Sequence, residues 1–558
     1  MKFVVVGGVA GGLSFAARAR RLDETAEIVV FEKGPYPSFS NCGLPYYVGG
    51  DIPDRETLLL NTPETLHSKL NLDVRVNHEV TGVDAKAKTV TVTGPDGSKT
   101  TESYDVLVLS PGATAARPPI PGLDSPKIHA LRTVDDATRL GELAGDAQTA
   151  VVIGGGFIGI EAAEGLAKRG IQTTIVEGSA HVMPPLDKEV ANMVTGALGS
   201  LGVQVVAATQ VKSIAPAADG PDLVTLSDGQ EIPADLVVLS AGVKPATAAF
   251  VEAGIEADER GYIKIDEHGR TNLPDVYALG DAVTQETAVT GAVRPVALAG
   301  PTNRAGRLIA DFILDPENAR PLPKPLGTSI FRVGQMTAAM TGANRAELEA
   351  SDIDFVTIHT HPTDHGTFLP GAQPMQLLMH FDAKTGKILG AQGIGGNGVD
   401  KRIDVIATAI RAGLTAPDLI DLDLAYSPPY SSAKDPVNFL GYVADNVLSG
   451  RLEPWYPWEF EELGEDAVLI DVRNHPEFNA GHLRGAECIP LGELREQAAE
   501  VKTKVGEKTV YLSDDTGANA WIGAGILTTA GVSAKVLSGG VNTVFAYYFE
   551  NPGAVLEM

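Results

Sequence analysis

The stretch Ser38–Tyr47 reads SFSNCGLPYY and holds Cys42, one of only two cysteines in the 558 residues. A thiol beside a glycine, a proline and two tyrosines suits neither a disulfide staple nor a packed core, although a buried, inert cysteine is the plainer alternative. If the sulfur reacts, it does so as a thiolate, attacking another sulfur or cycling through a sulfenate. Reduction of a disulfide takes two electrons. A site with one cysteine therefore needs an external thiol, or a stabilised sulfenate, as its second sulfur. A free thiol of pKa about 8.5 is mostly protonated at neutral pH, so a helix N-terminus or an adjacent cofactor is expected to help it ionise. Cys488, in the strand-like GAECIPL, is read as structural.

Two segments have the strand, glycine turn, helix, strand, acidic residue order of a dinucleotide-binding unit. In TAVVIGGGFIGIEAAEGLAKRGIQTTIVEGS, Gly154, Gly156 and Gly159 meet the G-x-G-x-x-G spacing and Glu177 ends the next strand. The glycines permit the tight turn, the approach of the pyrophosphate and close packing of helix on strand, and the helix N-terminus faces the phosphates. Glu177 suits an unphosphorylated ribose, and no arginine follows closely in VEGSAHV, so NADH is expected over NADPH. The N-terminal copy keeps Gly7 and Gly12 but has Val9 at the middle glycine, and Glu32 supplies its ribose acceptor. On the helix after this first turn, Ser14, Arg18 and Arg21 share one face at i, i+4 and i+7, either as a solvated basic face or as a grip for phosphates.

Composition excludes several other classes. A net charge of −27 repels nucleic acid and anionic membranes. Two cysteines rule out a disulfide framework and a four-thiolate metal site. No apolar run approaches 18 residues and the N-terminus lacks a signal-peptide layout, so the expected setting is the cytoplasm.

The order of these motifs resembles the pyridine nucleotide-disulfide oxidoreductase family, flavoproteins with two dinucleotide units. In TNLPDVYALGDAV (271–283) the resemblance assigns Asp281 to the flavin ribityl chain, and 106–122 and 236–248 resemble the crossovers between FAD and NAD domains. It implies an α/β chain with two Rossmann-like domains, an α+β dimerisation domain and a C-terminal α/β rhodanese-like domain. The expected boundaries are 1–112 with 246–325 for FAD, 113–245 for NAD(P)H, 326–445 for dimerisation, 446–460 for a linker or the start of the fourth unit, and 461–558 for the rhodanese-like domain. Further FAD and NAD(P)H contacts are implied at Lys33, Val80, Gly112, Ile158 and Gly242. The rhodanese-like landmarks lie in DAVLIDVRNHPEFNAGHLRGAECIPLGEL, but Asp514 stands where the catalytic cysteine belongs and Asn519 where the loop arginine belongs, so ordinary sulfur transfer is not expected there.

SFSNCGLPYY resembles the single-cysteine branch, most closely coenzyme A-disulfide reductases, whose rhodanese fusions act as NADH-dependent CoA-disulfide or persulfide reductases. The resemblance implies CoA, as substrate or bound thiol, at Ser14, Arg18, Arg21, Ser38, Asn41, Lys69, Asn303 and Lys434. It also implies a homodimer in which AYSPPYSSAKDPVN (425–438) reaches the partner's active site, with Tyr426, and secondarily Tyr430, joining Cys42 as catalytic residues. The Y-Y-P-G-A run of these reductases reads FLPGA here, with Phe368 and Leu369 in place of its tyrosines. Two other functions stay open: an NADH oxidase or peroxidase using a Cys42 sulfenate, and a redox-sensing binding protein whose silent rhodanese-like domain recruits a partner.

Overall fold

The structure, a computed structural model, describes residues 1–464 and 467–557. Asp466, which opens the rhodanese-like stretch, lies outside them. The chain divides into two compact units, one of residues 1–178 with 201–327 and one of residues 179–200 with 328–558.

Strand Lys2–Val6 is an apolar run covered on both faces, as a central parallel strand requires. Phe3 and Val5 enter one core with Ile28 and Val30, while Val4 and Val6 enter another with Val29 and Phe31. The parallel sheet runs Val276–Ala278, Val106–Leu109, Lys2–Val6, Glu27–Glu32, Asp73–Val76. A second parallel sheet repeats the scheme as Ile128–Ala130, Leu236–Leu239, Thr149–Ile153, Gln172–Val176, Gln204–Val206. Two short antiparallel strands, Ala113–Ala115 and Val243–Pro245, join the sheets. Each central strand ends on its glycine turn, so both nucleotide sites lie at the carboxyl edges of the sheets.

In the second unit an antiparallel sheet orders Ser329–Val333, Met336–Gly342, Ile388–Gly395, Met375–Asp382, Phe355–Thr360. Side chains alternate along it. Ile358, Leu377, Met379 and Phe381 pack on helices Val399–Ala412 and Pro436–Leu448. The alternate positions carry Thr357, His359, His380 and Gln392, all buried. A five-stranded parallel sheet follows in the order Pro454–Trp455, Ala534–Leu537, Val510–Ser513, Val468–Asp471, Glu487–Cys488. Pro454–Trp455, within the stretch read as a linker or the start of a fourth unit, is thus an edge strand of this sheet, and Trp455 is wholly buried.

Several side chains on the polar face of the antiparallel sheet bond residues far away in sequence. His380 bonds Asp187 at 2.8 Å and Thr357 at 2.9 Å. His359 bonds Glu189 at 2.8 Å and Ser538 at 2.9 Å, and Arg345 reaches Glu189 at 2.5 Å while lying 3.8 Å from the Trp458 ring centroid. His361 bonds Thr543 at 2.9 Å. Ser538, His359 and Glu189 have the connectivity of a hydrolytic triad, but all three are buried and the Ser538 hydroxyl also accepts the His359 N–H, so the arrangement fastens rather than reacts.

Burial lowers the pKa of His359 and, together with the neighbouring His359, lowers that of His361 to about 3. Burial opposes ionisation of Glu189, but Arg345 and His359 outweigh it and hold the carboxyl well below its usual range. All three groups bind protons more readily when unfolded, so their stability contribution is present above the unfolded pKa and is lost on acidification. For His361 the window runs from pH 6.5 down to about 3. The melting temperature of the full chain is expected to fall as pH drops from about 7 to about 5, and to fall less steeply in His361→Gln. Equal slopes in differential scanning fluorimetry would refute this account.

Candidate active site

Cys42 sits in a single 3₁₀ turn, Asn41–Gly43, between the short strand Ser38–Phe39 and the helix Leu44–Val48. A Cβ on Gly43 would come within 2.9 Å of Leu58 and Ser40, so the turn admits little else. The thiol helix ends at Gly49, which lies against Gly165 of helix Phe157–Lys168; a Cβ on Gly49 would approach the Gly165 Cα to 2.8 Å. That closeness brings Glu161 to the thiol turn, where the Tyr46 hydroxyl donates to it at 3.1 Å. Asp281, in the turn Gly280–Ala282, accepts from Arg132 at 2.6 Å.

Cys42 is exposed. Protein packed around the thiol, followed by the charges of Glu161 and Asp281, nevertheless pushes its pKa up, with Arg132 opposing. The chain alone therefore does not favour the thiolate, contrary to what a helix N-terminus was expected to do. Glu161 and Arg132 escaped the sequence reading because neither lies near Cys42 in sequence. Only the position of Glu161, two residues after Gly159, hinted at a role for it.

Both dinucleotide loops test as suited to their cofactors. A Cβ on Gly7 would lie 2.1 Å from the Ser110 oxygen, and one on Gly12 would lie 1.9 Å from the Gly7 oxygen. Val9 adopts φ +47°, a left-handed conformation and an outlier for a β-branched residue, whereas Gly156, at the same place in the second loop, is extended with φ −82°. Glu32 accepts from the N–H groups of Gly8 and Gly34, both at 2.8 Å. In the second loop a Cβ on Gly154 or Gly159 would collide with a backbone oxygen at 2.3 or 2.0 Å, whereas Gly156 faces open space. Glu177 accepts from Gly155 N–H at 2.6 Å. These carboxylates hold the loops in the shape that a ribose and a pyrophosphate require.

Gly112 and Gly242 take positive φ at the two crossovers, each accepting a backbone hydrogen bond from beside the opposite crossover strand. Lys33 is exposed, Ile158 is half-buried in the first turn of its helix, and Val80 is buried in the core, leaving its backbone as the part available to a ligand.

Close helix packing opens a cleft beside the first loop. A Cβ on Gly306 of helix Ala299–Leu314 would meet Gly11 O at 2.7 Å, so this helix lies directly against Gly11–Leu22. The cleft, about 620 Å³, is lined by Ser14, Arg18, Arg21, Ser38, Lys69 and Asn303, with Val9 on its apolar wall. Ser14 donates to Asn303 at 2.8 Å. Arg307 also lines the cleft. It was missed, although its i+4 spacing from Asn303 could have suggested it. Asp311 pairs with Arg18 at 2.5 Å, leaving the four cations in excess over the carboxylate that partners them. Ser38 lies four residues before Cys42. Asn41 lies beside the thiol and is not among the cleft's lining residues.

Tyr426, Tyr430 and Lys434 belong to the second unit and are exposed, as is Phe368. Asp514 stands between strand Val510–Ser513 and helix Ala518–Thr529, and its carboxylate accepts from the N–H groups of Gly517 (2.5 Å) and Asn519 (2.8 Å). Burial outweighs these bonds and raises its pKa. Cys488 is half-buried on the outer strand of that sheet, with its sulfur 3.5 Å from Arg473 O.

Comparison with known proteins decides the family. Residues 1–296 match the pyridine nucleotide-disulphide oxidoreductase family, 329–436 its dimerisation domain and 459–546 the rhodanese-like domain. The chain belongs to the pyridine nucleotide-disulphide oxidoreductase family. Among curated relatives, a coenzyme A disulfide reductase of Staphylococcus haemolyticus is 33% identical over 449 residues, 80% of this chain and 100% of that one. Among solved structures, reduced Bacillus anthracis CoADR-RHD superposes with a TM-score of 0.96 at 40% identity, covering 100% of this chain and 99% of that one. An NAD-dependent persulfide reductase from A. fulgidus gives 0.90 at 35% identity, covering 97% and 100%.

This oxidoreductase is thus an FAD- and NAD(P)H-dependent enzyme by family, with the expected α/β architecture of two dinucleotide-binding domains, a dimerisation domain and a rhodanese-like domain. Among its described residues no helix is long and apolar enough to cross a membrane.

Because Gly165 sets the distance between thiol helix and nucleotide helix, Gly165→Val should lower NAD(P)H-driven turnover by roughly tenfold or more while the purified enzyme retains its flavin absorbance. Wild-type turnover in that variant would refute the constraint.

Proposed function

We propose that the oxidoreductase is an NADH-dependent reductase of CoA disulfide, CoA persulfide or a related small disulfide or polysulfide, acting in the cytoplasm as a homodimer through Cys42. One observation carries this reading: a cationic cleft whose wall includes Ser38 runs up to the segment of Cys42, the only cysteine of its unit. A nucleotide thiol bound by Arg18, Arg21, Lys69 and Arg307 would bring the second sulfur that the chain does not supply.

Bound FAD supplies the two-electron relay from nicotinamide to sulfur. The Cys42 thiolate attacks one sulfur of the substrate, forming a mixed disulfide with one half as the other half leaves as a thiolate and takes a proton. Two electrons and a second proton then release the bound half and restore Cys42. Arg132 favours the Cys42 thiolate against Glu161 and Asp281. Glu161, hydrogen-bonded to Tyr46, is placed to exchange a proton near that sulfur. Tyr426 and Tyr430, with Lys434, would complete the partner's site. Glu177 accounts for the preference for NADH.

Anaerobic rapid mixing with NADH should reduce the flavin, and CoA disulfide should reoxidise it; reoxidation by oxygen or peroxide alone would overturn the proposal in favour of an oxidase or peroxidase. Cys42→Ser should keep flavin reduction by NADH and lose at least about 100-fold in CoA-disulfide turnover. Arg18→Gln combined with Arg21→Gln should raise KM for CoA disulfide by about tenfold, with a smaller effect on kcat. An unchanged KM would remove the cleft from the account.

A further inference from the structure

Segment 425–435 alternates exposed residues with anchored ones. Tyr426 is 51% exposed and Tyr430 73%, and Lys434 is exposed too, whereas Ser431 and Asp435 are buried to within 2%. The anchors converge on one side chain. Arg402, on helix Val399–Ala412 and 1% exposed, sends Nη2 to Asp435 Oδ2 (2.9 Å), Ser431 Oγ (3.1 Å) and Asp364 O (3.1 Å), and Nε to Asp435 Oδ1 (3.3 Å). Beside it, Lys401 Nζ lies 3.2 Å from Asp435 and 3.4 Å from the backbone oxygen of Ala425, which precedes Tyr426. Asp435 also caps helix Pro436–Leu448 through Val437 N–H at 3.0 Å.

A buried ion pair is weak evidence for stability, because apolar replacements often serve as well. Its planar fork fixes geometry instead. Here the geometry fixed is that of three exposed side chains which otherwise ride on a loop, and the Asp364 contact ties down the segment leading to the exposed Phe368 as well.

We propose that Arg402, assisted by Lys401, is the positioning residue for segment 425–435 and acts across the dimer, presenting Tyr426, Tyr430 and Lys434 to the partner subunit's Cys42. The inference rests on the reading above of a dimeric reductase with its thiol at Cys42. Effects at Arg402 therefore belong to the other chain's active site.

Mixed dimers purified through two affinity tags test this with CoA disulfide and NADH. The Arg402→Gln homodimer should lose roughly tenfold in kcat with flavin reduction by NADH intact. A dimer of an Arg402→Gln chain with a Cys42→Ser chain has its one thiol served by an undamaged segment. Its turnover per thiol should return to within about twofold of a wild-type/Cys42→Ser dimer. A dimer of a wild-type chain with a chain carrying both substitutions should stay at the low level of the Arg402→Gln homodimer. The opposite pattern, low turnover in both mixed dimers, or wild-type turnover in the Arg402→Gln homodimer would overturn the proposal. If Arg402→Gln does not fold, Lys401→Met should show the same transfer between chains with a smaller loss. Full turnover by a Cys42→Ser homodimer would instead discard the thiol reading on which the inference rests.

Discussion

The thiol centre depends on the close approach of Gly49 to Gly165. Two glycines let the helix after Cys42 rest on the helix that follows the NAD(P)H loop, at a spacing no side chain would allow. This contact brings Glu161 to Cys42, and the Arg132–Asp281 pair adds charges from two further segments. The electrostatic result is an exposed thiol held reluctant to ionise by the protein packed around it and by two carboxylates, with one guanidinium opposing them. Such a sulfur gains reactivity mainly when a bound molecule alters its surroundings, which couples its chemistry to occupancy of the site.

The same contrast between local and overall electrostatics governs the cleft. The chain carries a net charge of −27, yet Arg18, Arg21, Lys69 and Arg307 line one concave surface. A cationic cleft in an anionic molecule would draw an anionic ligand to that place, and low-dielectric walls sharpen the field. Helix packing builds the cleft, since Gly306 lets helix Ala299–Leu314 lie directly against Gly11–Leu22 and so brings Asn303 and Arg307 beside Ser14 and Arg18.

In the second unit, polar groups buried on one sheet face replace the apolar seam that usually joins two layers. Asp187, Glu189, Arg345 and three histidines satisfy one another or residues of the rhodanese-like fold, giving a directional attachment. In the rhodanese-like loop, the Asp514 carboxylate takes the N–H groups of Gly517 and Asn519 for itself. The loop remains folded, with a carboxylate at its head in place of a sulfur nucleophile.

Much of this was legible in the sequence because its signals are local. Parallel strands show as short apolar runs, a glycine turn shows as glycines at fixed spacing, and the acidic residues Glu32 and Glu177 follow at the ends of the next strands. The family, the fold and the candidate thiol could therefore be read from the order of residues. Val9 marks where local reading gave out, since only the backbone shows a valine held at positive φ where the second loop has an extended glycine. Arg132 and Arg402 were beyond reach because each acts through groups distant in the chain, whereas Glu161 and Arg307 left only a faint local signal in their spacing from Gly159 and Asn303. The sequence by itself determined the glycine spacing of two dinucleotide units and a lone cysteine of the first unit as the candidate thiol. Only the tertiary structure decided that sulfur's electrostatic surroundings and the shape of its cleft, because through-space interactions follow distance in the folded molecule and not separation along the chain.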